Sequence, residues 1–244
     1  MRIKAIVSYD GTAYGGWQLQ KNAPSIQGEL ERVLFELCGR RIPVQSAGRT
    51  DARVHALAMP VHFDIETSIP PEKLPFVFNR SLPPDIRMTS ACRADGFHAR
   101  FDAKGKTYRY AIWNAPHASA LERDRSMHFP YALDIGRMRR AAGILEGTHD
   151  FAAFAASGAQ TRTTVRTVKS AEITGQAGDM IYFTVTGNGF LYNMVRIMTG
   201  TLLSVGNGRM EPEQVLRALE SGKRSDAGFT AEPQGLMLME VYYD

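Results

Sequence analysis

The side chains best suited to chemistry lie in residues 48–56, where an aspartate stands between two arginines. Asp51 comes two positions after Arg49 and two before Arg53. Guanidinium groups favour an ionised carboxylate through opposite charge and hydrogen bonds. A nucleophile or a cation-stabilising group requires such a carboxylate, partly removed from water. A lone loop aspartate is more often a turn residue or a helix cap. This segment alone therefore predicts only an ionised carboxylate near two arginines, and no particular reaction.

A second candidate is the segment 106–110, which reads Lys-Thr-Tyr-Arg-Tyr. On a strand, Tyr108 and Tyr110 face one side and Arg109 faces the other. Two core aromatics are the commoner outcome of such a pattern. The alternative is an aromatic plate that stacks a nucleobase beside cations that contact phosphate.

A third candidate, Arg196, lies in a predicted helix next to the apolar residues Met194, Val195 and Met198. Most helical arginines are exposed. An arginine with apolar neighbours more often needs an anionic partner. Asp51, from the other half of the chain, is one candidate for that partner.

Other types of site are not indicated. Residues 9–18 hold three glycines and three aromatics but lack the Gly-Lys-Ser/Thr ending of a phosphate loop. His55, His98 and His149 lie too far apart in sequence for a metal motif. No second acid lies near Asp51, so paired-carboxylate hydrolysis is not indicated locally.

Composition indicates an ordinary globular protein of 244 residues, 44% hydrophobic, with 29 basic and 25 acidic side chains. The net charge of +4 is a mild bias toward polyanions. We expect Cys38 and Cys92 to be buried free thiols, which fits a reducing compartment. The first residues resemble a strand rather than a signal peptide, and no apolar run approaches a membrane span. We therefore expect a cytoplasmic protein with no membrane partner.

The predicted elements fall into two β-α-β-β-α-β units, at residues 1–104 and 105–244. Strands are predicted near residues 3–9, 44–47, 61–65, 86–92, 107–113, 165–173, 181–186 and 236–242, and helices near 26–38, 70–79, 135–145, 190–203 and 212–221. This order predicts an α+β fold of two ferredoxin-like halves. We expect the halves to form one extended antiparallel sheet with helices on one face and a catalytic cleft between them.

Several segments, taken together and in order, resemble the tRNA pseudouridine synthase A family. The matching residues are Tyr9-Asp10-Gly11, Gly16-Trp17-Gln18, Ser25-Ile26-Gln27, Gly48-Arg49-Thr50-Asp51, Val54-His55, Phe97-His98-Ala99-Arg100-Phe101, Lys106-Thr107-Tyr108-Arg109-Tyr110, Gly147-Thr148-His149-Asp150-Phe151, Gly189-Phe190, Met194-Val195-Arg196 and Gly235-Leu236. Each match alone is weak, but together they span almost the whole chain.

The resemblance implies an isomerase that converts uridine to pseudouridine in the anticodon stem-loop of tRNA, at about positions 38 to 40. It implies a homodimer that uses no metal and no organic cofactor. Asp51 matches the family's catalytic aspartate, Tyr108 its active-site tyrosine, and Arg196 the arginine that pairs with the aspartate. Basic side chains that we expect to contact RNA are Arg49, Arg53, Arg100, Lys104 and Lys106.

One residue departs from the family pattern, which more often has glycine where this chain has Arg53. If the position needs a positive φ, arginine carries strain there. If it does not, the extra cation contacts RNA or Asp51.

Three other interpretations remain open at this point. The chain could be a non-catalytic RNA-binding protein of the same fold, but it keeps Asp51, Tyr108 and Arg196 together. It could be a hydrolase or lyase that uses Asp51 on another nucleotide or sugar, which leaves the full-length resemblance unexplained. Asp51 and Arg196 could also form a purely structural pair.

Overall fold

The computed structural model describes residues 1–158 and 161–244. The described strands are β1 (Arg2–Tyr9), β2 (Gln45–Ser46), β3 (His55–Asp64), β4 (Ile86–Arg93), β5 (Gly105–Trp113), β6 (Met127–His128), β7 (Gly147–Asp150), β8 (Val165–Gly175), β9 (Met180–Gly187) and β10 (Leu236–Tyr242). The described α-helices are α1 (Ile26–Cys38), α2 (Leu74–Ser81), α3 (Ile135–Ile144), α4 (Met194–Gly206) and α5 (Glu213–Ser221). The predicted α+β class is confirmed. None of these helices is both long enough and apolar enough to cross a bilayer.

The chain forms two compact units, one of Met1–Lys104 with Met237–Asp244 and the other of Gly105–Leu236. We expected the second half to run from 105 to 244. The last strand instead groups with the first unit, because β10 pairs in parallel with the start of β3.

The first unit follows the predicted β-α-β-β-α-β order, with β10 added. Its strands lie in the order β4, β1, β3, β10, and β1 is antiparallel to both β3 and β4. Alternate residues of β1 are buried, as its sequence pattern predicts. Helix α1 is capped at its start by the Ser25 side chain, which accepts the Gly28 N–H, and after its last residue by Gly39, whose φ is 67°. Both predicted caps are confirmed.

The second unit has more strands than we predicted. Its sheet order is β5, β9, β8, β7, with β6 paired to β5. The prediction missed β6 and β7 because strands of two and four residues are too short to show a period. We expected residues 190–193 to form the first turn of a helix. They lie outside α4, because Asn193 has a left-handed backbone with φ 59°.

Two further expectations were wrong. Strand β3 runs from His55 to Asp64, so it begins six residues earlier than the predicted 61–65. The cysteines are free but not buried, since Cys38 is half-buried and Cys92 is exposed. Cys92 lies on β4, at the end of its sheet, where side chains have fewer neighbours.

Candidate active site

The loop of Asp51 is held by backbone hydrogen bonds to the segment after β1. The Trp17 N–H donates to the Thr50 carbonyl at 3.0 Å, and Gly16 forms an isolated bridge with Asp51. Past the aspartate, the Arg53 N–H donates to the Tyr14 carbonyl at 3.3 Å. These contacts fix the backbone on both sides of Asp51, whose own side chain is half-buried.

Two glycines allow this close packing. A Cβ at Gly11 would lie 2.1 Å from the Val54 carbonyl oxygen, which no side chain tolerates. Gly16 has φ 111°, and its Cβ would lie 2.6 Å from the Thr50 oxygen. Residues 9–18, whose glycines had no assigned role in the sequence, therefore form the support of the aspartate loop.

Buried side chains add a second set of contacts. The Tyr9 and Thr50 hydroxyls lie 2.8 Å apart and share a hydrogen bond. Nδ1 of His55 accepts the Gly11 N–H at 3.1 Å and lies 3.2 Å from Oδ1 of Asp10. Sequence reasoning missed these positioning roles of Tyr9 and His55, although both residues lie in segments that match the family.

Tyr14 anchors the same segment at its outer end. Its hydroxyl donates to Oδ1 of Asp85 at 2.6 Å. Burial, and then the hydrogen bond to Asp85, raise the pKa of the Tyr14 phenol. The hydroxyl therefore stays protonated and remains a donor at neutral pH.

Arg53 has a left-handed backbone, with φ 65°. Of the described residues other than glycine, only Arg53 and Asn193 have positive φ. The first of the two alternatives for this position is the observed one: arginine occupies a conformation that favours glycine, at a local cost of about 1–2 kcal/mol. The side chain itself is exposed, as is that of Arg49.

Tyr108 lies on β5 in the second unit, opposite Val185 of β9. It is 8% exposed, and its ring meets Phe190 edge-to-face with centroids 5.3 Å apart. Tyr110, two residues on, is fully buried and donates its hydroxyl to the Glu232 carbonyl at 2.6 Å. Tyr110 is thus a core aromatic, while Tyr108 retains some accessible surface.

Arg196 is the one residue of α4 that is not buried. Its Nε donates to the Ala231 carbonyl at 2.7 Å, and Nη1 donates to Oδ1 of Asn193 at 2.8 Å. The Ala231 N–H in turn donates to the Arg196 carbonyl at 3.0 Å. The guanidinium is therefore oriented by both the start of α4 and the chain near residue 231.

Burial raises the pKa of Tyr110, the charge of Glu232 adds to this shift, and the Arg196 guanidinium opposes it. The charge of Arg196 therefore acts on Tyr110, a residue of β5.

Of the two residues that orient the Arg196 guanidinium, Asn193 could have been recognised in the sequence, since asparagine is one of the few residues that adopt left-handed backbone readily. Ala231 offers no such signal in sequence.

The other predicted RNA contacts lie on the surface. Arg100 and Lys104 are exposed in the first unit, and Lys106 is half-buried on β5 in the second. Within residues 1–158 and 161–244, no group of three or more His, Cys, Asp or Glu side chains is arranged to hold a metal ion. The chemistry available to these side chains is that of a carboxylate, a phenol and guanidinium groups.

Comparison with known proteins assigns the sequence to a family. The family described as tRNA pseudouridine synthase matches residues 5–102 and 141–244. A tRNA pseudouridine synthase A of Ruminiclostridium cellulolyticum is 44% identical over 243 residues, covering 99% of each chain. The enzyme of that name from Bacillus subtilis is 45% identical over 247 residues, covering 100% of each chain. One from Streptococcus pneumoniae is 45% identical over 246 residues, covering 100% of this chain and 99% of its own. Because these matches extend over nearly the whole sequence, the chain belongs to the tRNA pseudouridine synthase family.

Proposed function

We propose that this protein isomerises uridine to pseudouridine in the anticodon stem-loop of tRNA, at about positions 38 to 40. The family and its relatives support the reaction and the substrate class. One observation supports Asp51 as the reacting group. Its half-buried carboxylate lies on a loop whose backbone is hydrogen-bonded, at Thr50 and Arg53, to the segment after β1. A rigid loop keeps a reacting group in place without further ordering.

The reaction rearranges bonds without net gain or loss of atoms. The bond between N1 of uracil and C1′ of ribose breaks, and a bond from C5 to C1′ replaces it. C5 loses its proton and N1 gains one. Asp51 either attacks the nucleotide or assists departure of the base. Since nothing is oxidised or hydrolysed, the proposal requires no cofactor.

The second unit supplies two further residues in this proposal. Tyr108 stacks on the base and takes part in removing the C5 proton. Arg196 pairs with Asp51 and keeps it ionised. The target base must leave its stack to reach them, at a cost of a few kcal/mol.

The RNA backbone would be held by Arg49, Arg53, Arg100, Lys104 and Lys106, which are exposed or half-buried. We also propose that the protein acts as a cytoplasmic homodimer, as the family resemblance implies. The rival assignment, a non-catalytic RNA-binding protein of the same fold, makes the opposite prediction for turnover.

The deciding experiment measures tritium release from C5-labelled uridine in tRNA for the wild type and for Asp51→Asn. The wild type should release tritium, and the variant should bind tRNA with similar affinity but release none. Retained turnover in Asp51→Asn would remove the aspartate from the mechanism. Absence of turnover in the wild type would favour the non-catalytic rival.

A further inference from the structure

Three neighbouring rings in the first unit form a cluster that ends at the protein surface, and the outer two of them are stacked. Phe101 is 76% exposed, more than any other described phenylalanine. Its inner face lies on the His98 imidazole, with centroids 4.1 Å apart and planes 26° from parallel. Behind His98 lies the buried His62, at 4.6 Å. The other face of Phe101 is left toward solvent.

Hydrogen bonds fix the backbone of this segment. Nδ1 of His98 accepts the N–H groups of Arg100 and Phe101, both at 3.2 Å. The His98 N–H donates to Oδ2 of Asp102 at 2.7 Å, and the Asp102 N–H returns to the His98 carbonyl at 3.1 Å. An exposed ring on such a turn is already ordered, so a ligand that stacks on it loses little entropy in doing so.

The same segment is tied to the core of the unit. Nδ1 of His62 accepts the Ala99 N–H at 3.2 Å. The Tyr243 hydroxyl donates to the Ala99 carbonyl at 2.8 Å. Both polar groups of Ala99 are therefore satisfied by side chains, which holds the turn against the sheet.

The charged side chains near Phe101 indicate which kind of ligand would cover its exposed face. Exposed Arg100 and Lys104 lie on either side of it in sequence, while the carboxylate of Asp102 accepts a hydrogen bond within the turn. An exposed aromatic face beside cations is the combination that binds unpaired nucleotides through stacking and phosphate contacts. An exposed lysine near the ring argues against a protein as the ligand, because lysine is depleted in protein–protein interfaces.

We propose that the exposed face of Phe101 stacks on an unpaired nucleobase of the RNA substrate while Arg100 and Lys104 contact the neighbouring phosphates. This site rests on the proposed function, but it is distinct from Asp51, Tyr108 and Arg196. It gives the enzyme a contact with single-stranded nucleotides that does not depend on the reacting base.

The test compares binding of two RNAs, an anticodon stem-loop and a duplex with the same stem but no loop. Phe101→Leu keeps an apolar side chain and removes the ring. It should weaken stem-loop binding by about tenfold and leave duplex binding unchanged. Phe101→Trp should retain stem-loop affinity. Phe76→Leu is the matched control, since Phe76 is 72% exposed in the same unit and should matter for neither RNA.

Three outcomes would overturn the proposal: unchanged stem-loop binding by Phe101→Leu, equal losses on both RNAs, or a changed sedimentation mass with unchanged RNA affinity. The last result would assign the ring to a contact between copies of the chain. Failure of the proposed function is separate, because it appears as absence of pseudouridine formation by the wild type. An active wild type whose Phe101→Leu variant binds normally would refute the stacking site alone.

Discussion

Nδ1 of His55 accepts the backbone N–H of Gly11 at 3.1 Å, and both residues are buried. This bond joins the first residue of β3 to the turn that follows β1. Asp51 lies four residues before His55, on the loop that the bond closes. The imidazole is thus a positioning group for the proposed nucleophile.

Two substitutions of His55 should distinguish the role of its hydrogen-bond acceptor, which receives the Gly11 N–H, from the role of the imidazole ring as a whole. In His55→Asn the side-chain oxygen takes the place of Nδ1, so the Gly11 N–H keeps an acceptor. In His55→Gln the oxygen lies one carbon further out. We expect His55→Gln to lose about 1–3 kcal/mol of unfolding free energy and to lower kcat with little change in KM for tRNA. Urea denaturation and tritium-release kinetics would check this, and equal behaviour of the two variants would contradict it.

Arg53→Gly tests the strain at φ 65°. Glycine adopts this backbone freely, whereas alanine retains the steric cost. Both changes remove the guanidinium, so the difference between their unfolding free energies gives the cost of the left-handed backbone. We expect Arg53→Gly to be about 1 kcal/mol more stable than Arg53→Ala by chemical denaturation. If the two variants were equally stable, the left-handed conformation would carry no cost in this loop.

Gly200→Ala should disturb the helix that bears Arg196. A Cβ at Gly200 would lie 1.8 Å from the Phe229 carbonyl oxygen, so α4 and the chain near residue 229 would have to separate. We expect a loss of about 3 kcal/mol or more in unfolding free energy, together with lower turnover.

The matched control for this change is Gly143→Ala in α3, because nothing lies within 4 Å of its added Cβ. It should stabilise the protein by about 0.5–1 kcal/mol. Thermal unfolding of both variants gives the comparison, and similar shifts for the two would argue against the close approach at Gly200.

Tyr108→Phe should keep the ring and its contact with Phe190 while removing the hydroxyl. We expect unchanged tRNA affinity and turnover slower by about a hundredfold, the usual size of a proton-transfer contribution. Tyr110→Phe is the control. Its hydroxyl donates to the Glu232 carbonyl, so we expect a loss of about 1 kcal/mol in stability with normal turnover. Equal kinetics for wild type and Tyr108→Phe would limit Tyr108 to stacking.

Local patterns predicted β1 and α1 of the first unit well. The alternation of β1 and the caps of α1 depend on neighbouring residues, and the structure has both where the sequence indicated them. The second unit was less predictable. Strands as short as β6 and β7 form because a longer partner strand lies beside them, and four residues carry no readable period.

Residue types and their order were enough to recognise the available chemistry and the family. Asp51, Tyr108 and Arg196 indicate the chemistry, and the segments that match in order over almost the whole chain indicate the family. How these residues are held became visible only in the packing of the folded chain. The roles of Gly11 and His55 depend on contact between segments more than forty residues apart, and the orientation of Arg196 depends on a carbonyl 35 residues away. Such contacts arise from packing, and no pattern of adjacent residues encodes them.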